Sequence, residues 1–174
     1  MMKIEDLKGL VQDVPDFPQV GIVFKDISPL LASAKARKTI TSLLATKYKD
    51  KEIDVVVGME SRGFLFGTLV ADALDASFVM VRKPGKLPGA VVQEQYDLEY
   101  GQDTLEIQQH MIPKDARVLI HDDVLATGGT ALATSQLIEK CKGTVVGYSF
   151  LIELDFLAGR KRLKHSPVHS LIHY

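Results

Sequence analysis

The stretch VLIHDDVLATGGTA, residues 118–131, leaves few folds open to this chain. It begins mostly apolar and ends small, glycine-bearing and hydroxylated, so it reads as a buried strand running straight into a tight loop, with Asp122 and Asp123 at the junction. From Thr130 the pattern turns helical: Thr134, Leu137, Ile138 and Cys141 stand at i, i+3, i+4 and i+7, and Gly143 is placed as the helix stop. Strand, loop and helix in this order form the repeating unit of a parallel α/β sheet.

That loop also predicts chemistry. Ala126, Thr127, Gly128, Gly129 and Thr130 lie where a helix offers unpaired N–H groups and the positive end of its dipole, a place that favours an anion. Gly128 and Gly129 let the backbone close around it, and the two threonines add hydroxyl donors. A phosphate monoester fits. Asp122 and Asp123 would repel the phosphate, so their expected partners are neutral hydroxyls, such as the vicinal pair of a ribose. The implied ligand is a ribose 5-phosphate group; the plainer alternative is a glycine turn beside a solvated acidic pair.

At 174 residues, 46% hydrophobic and 25% charged, the chain can bury one full core but not two comfortable ones. A formal net charge of −1 argues against a general nucleic-acid or anionic-membrane binder, so any positive field has to be local. The single cysteine, Cys141, excludes an internal disulfide and sits on a helical apolar stripe, where a small buried side chain is expected. No Cys/His cluster has metal-ligand spacing. The first residues lack an apolar core of signal type, and no segment nears the roughly twenty apolar residues that span a bilayer. A cytoplasmic protein is expected.

Along the chain, Ile4, Leu7, Leu10 and Val11 predict a short amphipathic helix ending before Pro15 and Pro18. Residues 17–31 make a dense, irregular apolar segment that either packs on the core or covers a ligand. Ala36, Ile40, Leu43 and Leu44 mark a second helix, and 53–57 a buried parallel strand. Next come a loop at Glu60, Ser61 and Arg62, suited to another anion, and a helix with Phe66, Val70, Ala73 and Leu74 inward. Residues 77–81 read as a third strand, ending in a basic segment where Arg82, Lys83 and Lys86 stand among two Pro-Gly pairs. Open α/β sheets place ligands at such strand ends, so this segment is expected to meet one. Residues 90–107 read as a two-stranded ribbon, 144–151 as a further strand, the basic run 160–164 as a solvated helix face, and the tail as an edge strand.

With order, spacing and context agreeing, residues 118–131 resemble the phosphoribosyl pyrophosphate signature of the type I phosphoribosyltransferases. FPQVGIVFKDISPLL, GMESRGFLFG, VRKPGKLPG, YDLEYG and LEIQ extend the resemblance from Phe17 to the C-terminus and narrow it to the family's adenine-using members. The resemblance implies a single domain over 1–174: a type I phosphoribosyltransferase-like α/β core, whose central, mostly parallel sheet is flanked by helices. An N-terminal helix and base-binding hood would cover 1–34 and a flexible catalytic β-ribbon 82–108. It also implies a purine salvage reaction: adenine and phosphoribosyl pyrophosphate give AMP and pyrophosphate. Magnesium would be held mainly through substrate oxygens, with no metal site of protein ligands, in a homodimer that binds neither nucleic acid nor membrane.

The resemblance assigns roles by position. Ala126, Thr127, Gly128, Gly129 and Thr130 would hold the 5-phosphate, and Asp122 and Asp123 the ribose hydroxyls. Glu60, Ser61, Arg62, Arg82, Lys83 and Lys86 would face pyrophosphate. Val23, Phe24 and Lys25 would read and stack on the base, with Leu154 on its other face, and Glu99 and Tyr100 would swing over the reacting centre. Glu99 and Arg62 are the catalytic candidates. Breaking the anomeric bond builds negative charge on the leaving group, so cations belong there, and Glu99 could accept the base's proton or steady the ribosyl cation.

Three positions depart from the family pattern: Val20 for proline, Lys25 for arginine and His121 for an apolar residue. Val20 frees a φ angle in the hood turn, and Lys25 keeps charge without a planar guanidinium. His121 is expected to be a satisfied histidine near the sheet edge, the alternative being a group that tunes Asp122. An enzyme for an oxo-purine and a phosphoribosyl-pyrophosphate sensor without catalysis remain the competing readings. The hood and LEYG motifs argue against the first, the basic loop and the lack of room for a DNA-binding domain against the second.

Overall fold

Valine and isoleucine, branched at Cβ, favour extended backbone, and their densest runs lie at 55–57 and 118–120. The structure, a computed structural model describing residues 1–97 and 102–174, sets these runs side by side. In chain order come α1 (Ile4–Lys8), β1 (Gln12–Pro15), β2 (Val23–Asp26), α2 (Ser28–Ala32), α3 (Ala34–Thr46), β3 (Val55–Met59) and α4 (Gly63–Leu74). After them stand β4 (Ser77–Arg82), β5 (Val91–Asp97), β6 (Gln102–Gln108), β7 (Arg117–Leu125), α5 (Gly129–Lys140), β8 (Thr144–Glu153) and β9 (Val168–His173).

Among the described residues the main sheet has seven strands in the order β5-β6-β4-β3-β7-β8-β9. β4, β3, β7, β8 and β9 are parallel, with Val55 opposite both Ser77 and Val118, whereas β5 and β6 form an antiparallel ribbon hung on the edge of β4. Alternation along the strands divides the core in two. Val55, Val57, Val118 and Ile120 pack with Leu137 and Ile138 of α5. Val56 and Leu119 pack with Ile40 and Leu44 of α3 and Phe66 and Val70 of α4. The fold expected from the pattern, a mostly parallel sheet between helices, is the one observed.

Four local expectations need correction. β7 does not stop before the acids; it continues to Leu125 because β8 pairs with it that far. In α4 the inward face is Gly63, Phe66, Gly67, Val70 and Ala71, which leaves Ala73 exposed, two residues round the helix from Ala71. After α5 the left-handed residue is Lys142 (φ 65°), not Gly143. Gly143 is there for space, since a Cβ would stand 2.8 Å from Ile112 Cγ2 and 2.9 Å from Ile138 Cγ2. Lastly, β7 lies between β3 and β8, so His121 is at the sheet's centre and fully buried rather than near an edge.

The segment 17–31 is not irregular throughout: it holds β2 and most of α2, and it packs on the core at one end, while its start forms a hairpin, here called the hood. β2 pairs antiparallel with β1, Gln12 opposite Asp26, and the intervening turn is tied by Gly21 N donating to Asp16 Oδ1 at 2.8 Å. Val20 is 89% exposed and takes no part in that tie. Ile27 and Leu30 anchor the hood's far end in the core.

Candidate active site

The carboxyl ends of β4, β3, β7 and β8 stand side by side along one end of the sheet, and the loops that carry the predicted residues leave from there. After β7 the loop 126–128 leads into α5, whose N-terminus has no side-chain cap among the described residues. Its first N–H groups therefore face outward with the helix dipole behind them. Gly128 sits at φ 79°, and a Cβ there would stand 2.6 Å from Gly159 O; a Cβ on Gly159 would stand 2.1 Å from Ala126 O. Two glycine backbones thus touch where no other residue fits.

Asp122 and Asp123 project from the end of β7. Asp123 is 4% exposed, and its Oδ2 lies 2.8 Å from Arg62 Nε, yet off the axis needed for a hydrogen bond. That buried oxygen has no hydrogen-bond donor among the described residues. Asp122 Oδ1 accepts from Asp123 N at 2.8 Å. Burial pushes both carboxyls above the usual carboxylate range; for Asp122 the neighbouring Asp123 charge adds to the rise, while Arg62 draws Asp123 back. An acid pair of this kind is best satisfied by neutral hydroxyl donors.

Between β3 and α4, Glu60 and Ser61 are joined by a cis peptide bond. Arg62 reaches from here to Asp123, lies 4.4 Å from the Phe24 ring centroid and donates Nη1 to Lys25 O at 3.4 Å. It ties the acid pair to the hood. Glu60 gathers the cations at and beyond the end of β4: its Oε2 accepts from Lys83 N at 2.8 Å and lies 3.4 Å from Arg82 Nε, and Lys86 Nζ donates to its Oε1. Burial alone would raise the Glu60 carboxyl, but the hydrogen bonds from Lys86 and Lys83 and the Lys86 and Arg82 charges hold it below its ordinary value. Lys83 Nζ pairs with Asp103 Oδ2 on β6 at 2.9 Å, and this hydrogen bond raises the ammonium's pKa.

A cleft of about 950 Å³ runs from the loop to the hood. Of the predicted residues, Val23, Lys25, Ala126, Thr127, Gly129, Thr130 and Leu154 line it. Phe24 instead turns its ring to Arg62 and, edge-on at 5.1 Å, to Phe17. Lys25 Nζ holds Asp13 at 2.6 Å and sits 3.8 Å from the Tyr174 ring centroid. Glu99 and Tyr100 lie outside the described residues.

Sequence reasoning missed Asp13, Phe156, Leu157, Arg162 and Tyr174 in the cleft wall. The apolar pair Phe156-Leu157, just past the strand and its acidic Asp155, was the available signal, and Phe156 is left 75% exposed. The basic run 160–164 is solvated as expected at Arg160, Lys161, Arg162 and Lys164, which are all exposed on and just after a short 3-10 helix, while Leu163 is buried. Arg160 makes a two-pronged ion pair with buried Glu153, at 2.9 and 2.5 Å, and holds that carboxyl below its usual range. Glu153, Asp155 and His173 come within 4.8 Å of one another, but the first is committed to Arg160 and Ser170 and the other two to each other. Cys141 is half-buried against the core, which raises its thiol pKa.

An uncapped helix N-terminus, a hydroxyl-seeking acid pair and a cluster of cations together suit a phosphorylated sugar carrying a second anionic group. The phosphoribosyl transferase domain family matches residues 26–171. An adenine phosphoribosyltransferase of Christiangramia forsetii is 52% identical over 97% of this chain and 99% of its own length. The crystal structure of that enzyme from Rhodothermus marinus superposes with a TM-score of 0.95 at 51% identity, covering 98% of each chain. The Saccharomyces cerevisiae enzyme, complexed with adenine and an imino-altritol bisphosphate, gives 0.91 at 41% identity over 97% of both chains.

Proposed function

The chain belongs to the phosphoribosyltransferase family, within it to the adenine phosphoribosyltransferases, and from that premise we infer how its cleft works. The reaction moves the 5-phosphoribosyl group from phosphoribosyl pyrophosphate to adenine, giving AMP and pyrophosphate in purine salvage. The observation that supports the assignment of roles best is the buried Asp123 Oδ2, ion-paired to Arg62 yet without a hydrogen-bond donor among the described residues, on the strand that leads to the uncapped start of α5.

Residues 126–130 hold the 5-phosphate on the N–H groups and hydroxyls of the loop. Asp122 and Asp123 accept hydrogen bonds from the ribose hydroxyls, orienting the anomeric carbon between hood and cation cluster. Arg62, Arg82, Lys83 and Lys86, with the Glu60-Ser61 loop, receive the leaving pyrophosphate and stabilise the charge it gains. Adenine is read by the main chain at Val23, Phe24 and Lys25 and packs on Leu154. Glu99 takes the proton from the attacking base or steadies the ribosyl cation, and Tyr100 helps exclude water, the competing nucleophile.

Magnesium prefers oxygen ligands and retains waters, which the all-oxygen chemistry of Asp122, Asp123 and the substrate fits. When bound, mainly through substrate oxygens, it would neutralise pyrophosphate charge. The working unit is a cytoplasmic, single-domain homodimer; exposed Leu65 on α4 offers apolar surface for the contact, and no described helix is long and apolar enough to cross a membrane.

The test is product formation from phosphoribosyl pyrophosphate and magnesium with adenine, hypoxanthine, guanine or xanthine, alongside an Asp122→Ala/Asp123→Ala double variant. AMP from adenine alone, lost in the variant, is expected. Turnover of an oxo-purine would reassign the base, and tight phosphoribosyl pyrophosphate binding without any turnover would make the protein a sensor.

A further inference from the structure

Beyond β8 the chain makes a short turn, Gly159–Arg162, that is pinned at three points. Gly159 is docked on Ala126 O and Gly128 of the phosphate loop. Arg160 is clamped by Glu153, itself held by Ser170 Oγ at 2.6 Å, and also donates Nη1 to Val168 O at 3.0 Å. Leu163, immediately after, is 3% exposed in the core. Arg162 therefore starts from a fixed base. It lines the cleft with Thr127, Gly129 and Thr130, and its Nη1 lies 3.6 Å from where a Cβ on Gly129 would stand.

The other cations of the cleft and its rim have acidic partners. Lys25 has Asp13, Arg62 has Asp123, Arg82 and Lys86 share Glu60, and Lys83 has Asp103. Arg162 has neither an ion pair nor a hydrogen bond among the described residues. A guanidinium is always charged, and its planar fork of donors matches two phosphate oxygens. Arg162 is itself exposed, and what sets it apart is its place: its guanidinium stands beside an uncapped helix N-terminus already suited to a dianion.

We propose that Arg162 is a further phosphate-binding residue, gripping the 5-phosphate of phosphoribosyl pyrophosphate and of AMP alongside the N–H groups of α5. The proposal rests on the reading of residues 126–130 as the 5-phosphate loop. It gives this side chain a role in affinity for the phosphorylated ribose and none in recognition of the base.

The experiment compares AMP with adenosine, which differs from it by the phosphate alone, in calorimetric binding to wild type, Arg162→Gln and Arg162→Lys, with KM and kcat measured on the same proteins. Arg162→Gln should lose about tenfold in AMP affinity and raise the phosphoribosyl pyrophosphate KM by a similar factor, as expected for a charge-assisted contact. Adenosine affinity, adenine KM and the thermal midpoint should hold, and Arg162→Lys should recover part of the loss. Unchanged AMP binding in Arg162→Gln, or an equal loss for adenosine, would overturn the proposal. Failure of the underlying reading looks different: the wild type itself would bind AMP no better than adenosine.

Discussion

His121 is the residue that most depends on the fold keeping it uncharged. It is fully buried, its Nδ1 stands 3.3 Å from Ser149 Oγ, and its Nε2 has no partner among the described residues. Burial pulls its pKa down to about 4. The unfolded chain therefore takes up the proton first as pH falls, so this contribution is intact above pH 6.5 and is lost between there and about 4. By linkage, lowering the pH from about 8 to about 5 should remove about 2 kcal/mol of stability through this side chain. Asp122 and Asp123, raised by burial, act in the opposite sense: their protonation in the native state restores stability as pH falls. Comparing urea unfolding of wild type with His121→Leu at the two pH values isolates the histidine. The variant's profile should be flatter by that amount, and parallel profiles would mean that His121 does not titrate as a buried group.

The element with most leverage on the cleft is the turn Gly159–Arg162, because it meets the loop before α5 backbone to backbone at Ala126 and Gly128. Gly159→Ala would drive a methyl into Ala126 O and force loop and turn apart. Overpacking of this kind typically costs about 1–3 kcal/mol. Thermal unfolding should register it, and the phosphoribosyl pyrophosphate KM should rise at least tenfold while the adenine KM moves little. A variant with normal KM values would show that the loop does not depend on this contact. The same turn marks where sequence reading stops. The strands of the main sheet, α3, α5 and the loop at 126–130 were legible because their signals are local: alternation for a strand, a helical stripe, glycines beside threonines; β1 and β2 of the hairpin were not. Arg162 and Tyr174 were not, since each reaches the cleft only through distant pairing. Glu153 must meet Arg160 and Ser170, and β9 must lie along β8, before either side chain has a site to line. The position of the acids was misjudged for a related reason: β7 is prolonged by its pairing with β8, which hydrophobicity does not record.

On the scale of the molecule, two apolar cores share one sheet, whereas the hood stands apart as a two-stranded hairpin with β1 exposed throughout. Central strands open only with global unfolding, but a solvated hairpin can open alone. Amide hydrogen exchange should therefore be orders of magnitude faster in β1 and β2 than in β3 and β7 without substrate. Adenine with a phosphorylated ribose should slow the hood selectively. Equal protection of hood and core would mean that the base site is rigid before it is filled. The acids paired with the cations of the cleft carry a consequence for the end of the cycle. In the proposed reading pyrophosphate meets Arg62, Lys83 and Lys86, and the carboxylates Asp123, Asp103 and Glu60 stay covalently in place beside these same cations. They act as tethered rivals of the product. Whenever pyrophosphate loosens, a carboxylate at high local concentration can recapture its old partner, so departure proceeds by handing contacts over one at a time rather than by breaking them all together.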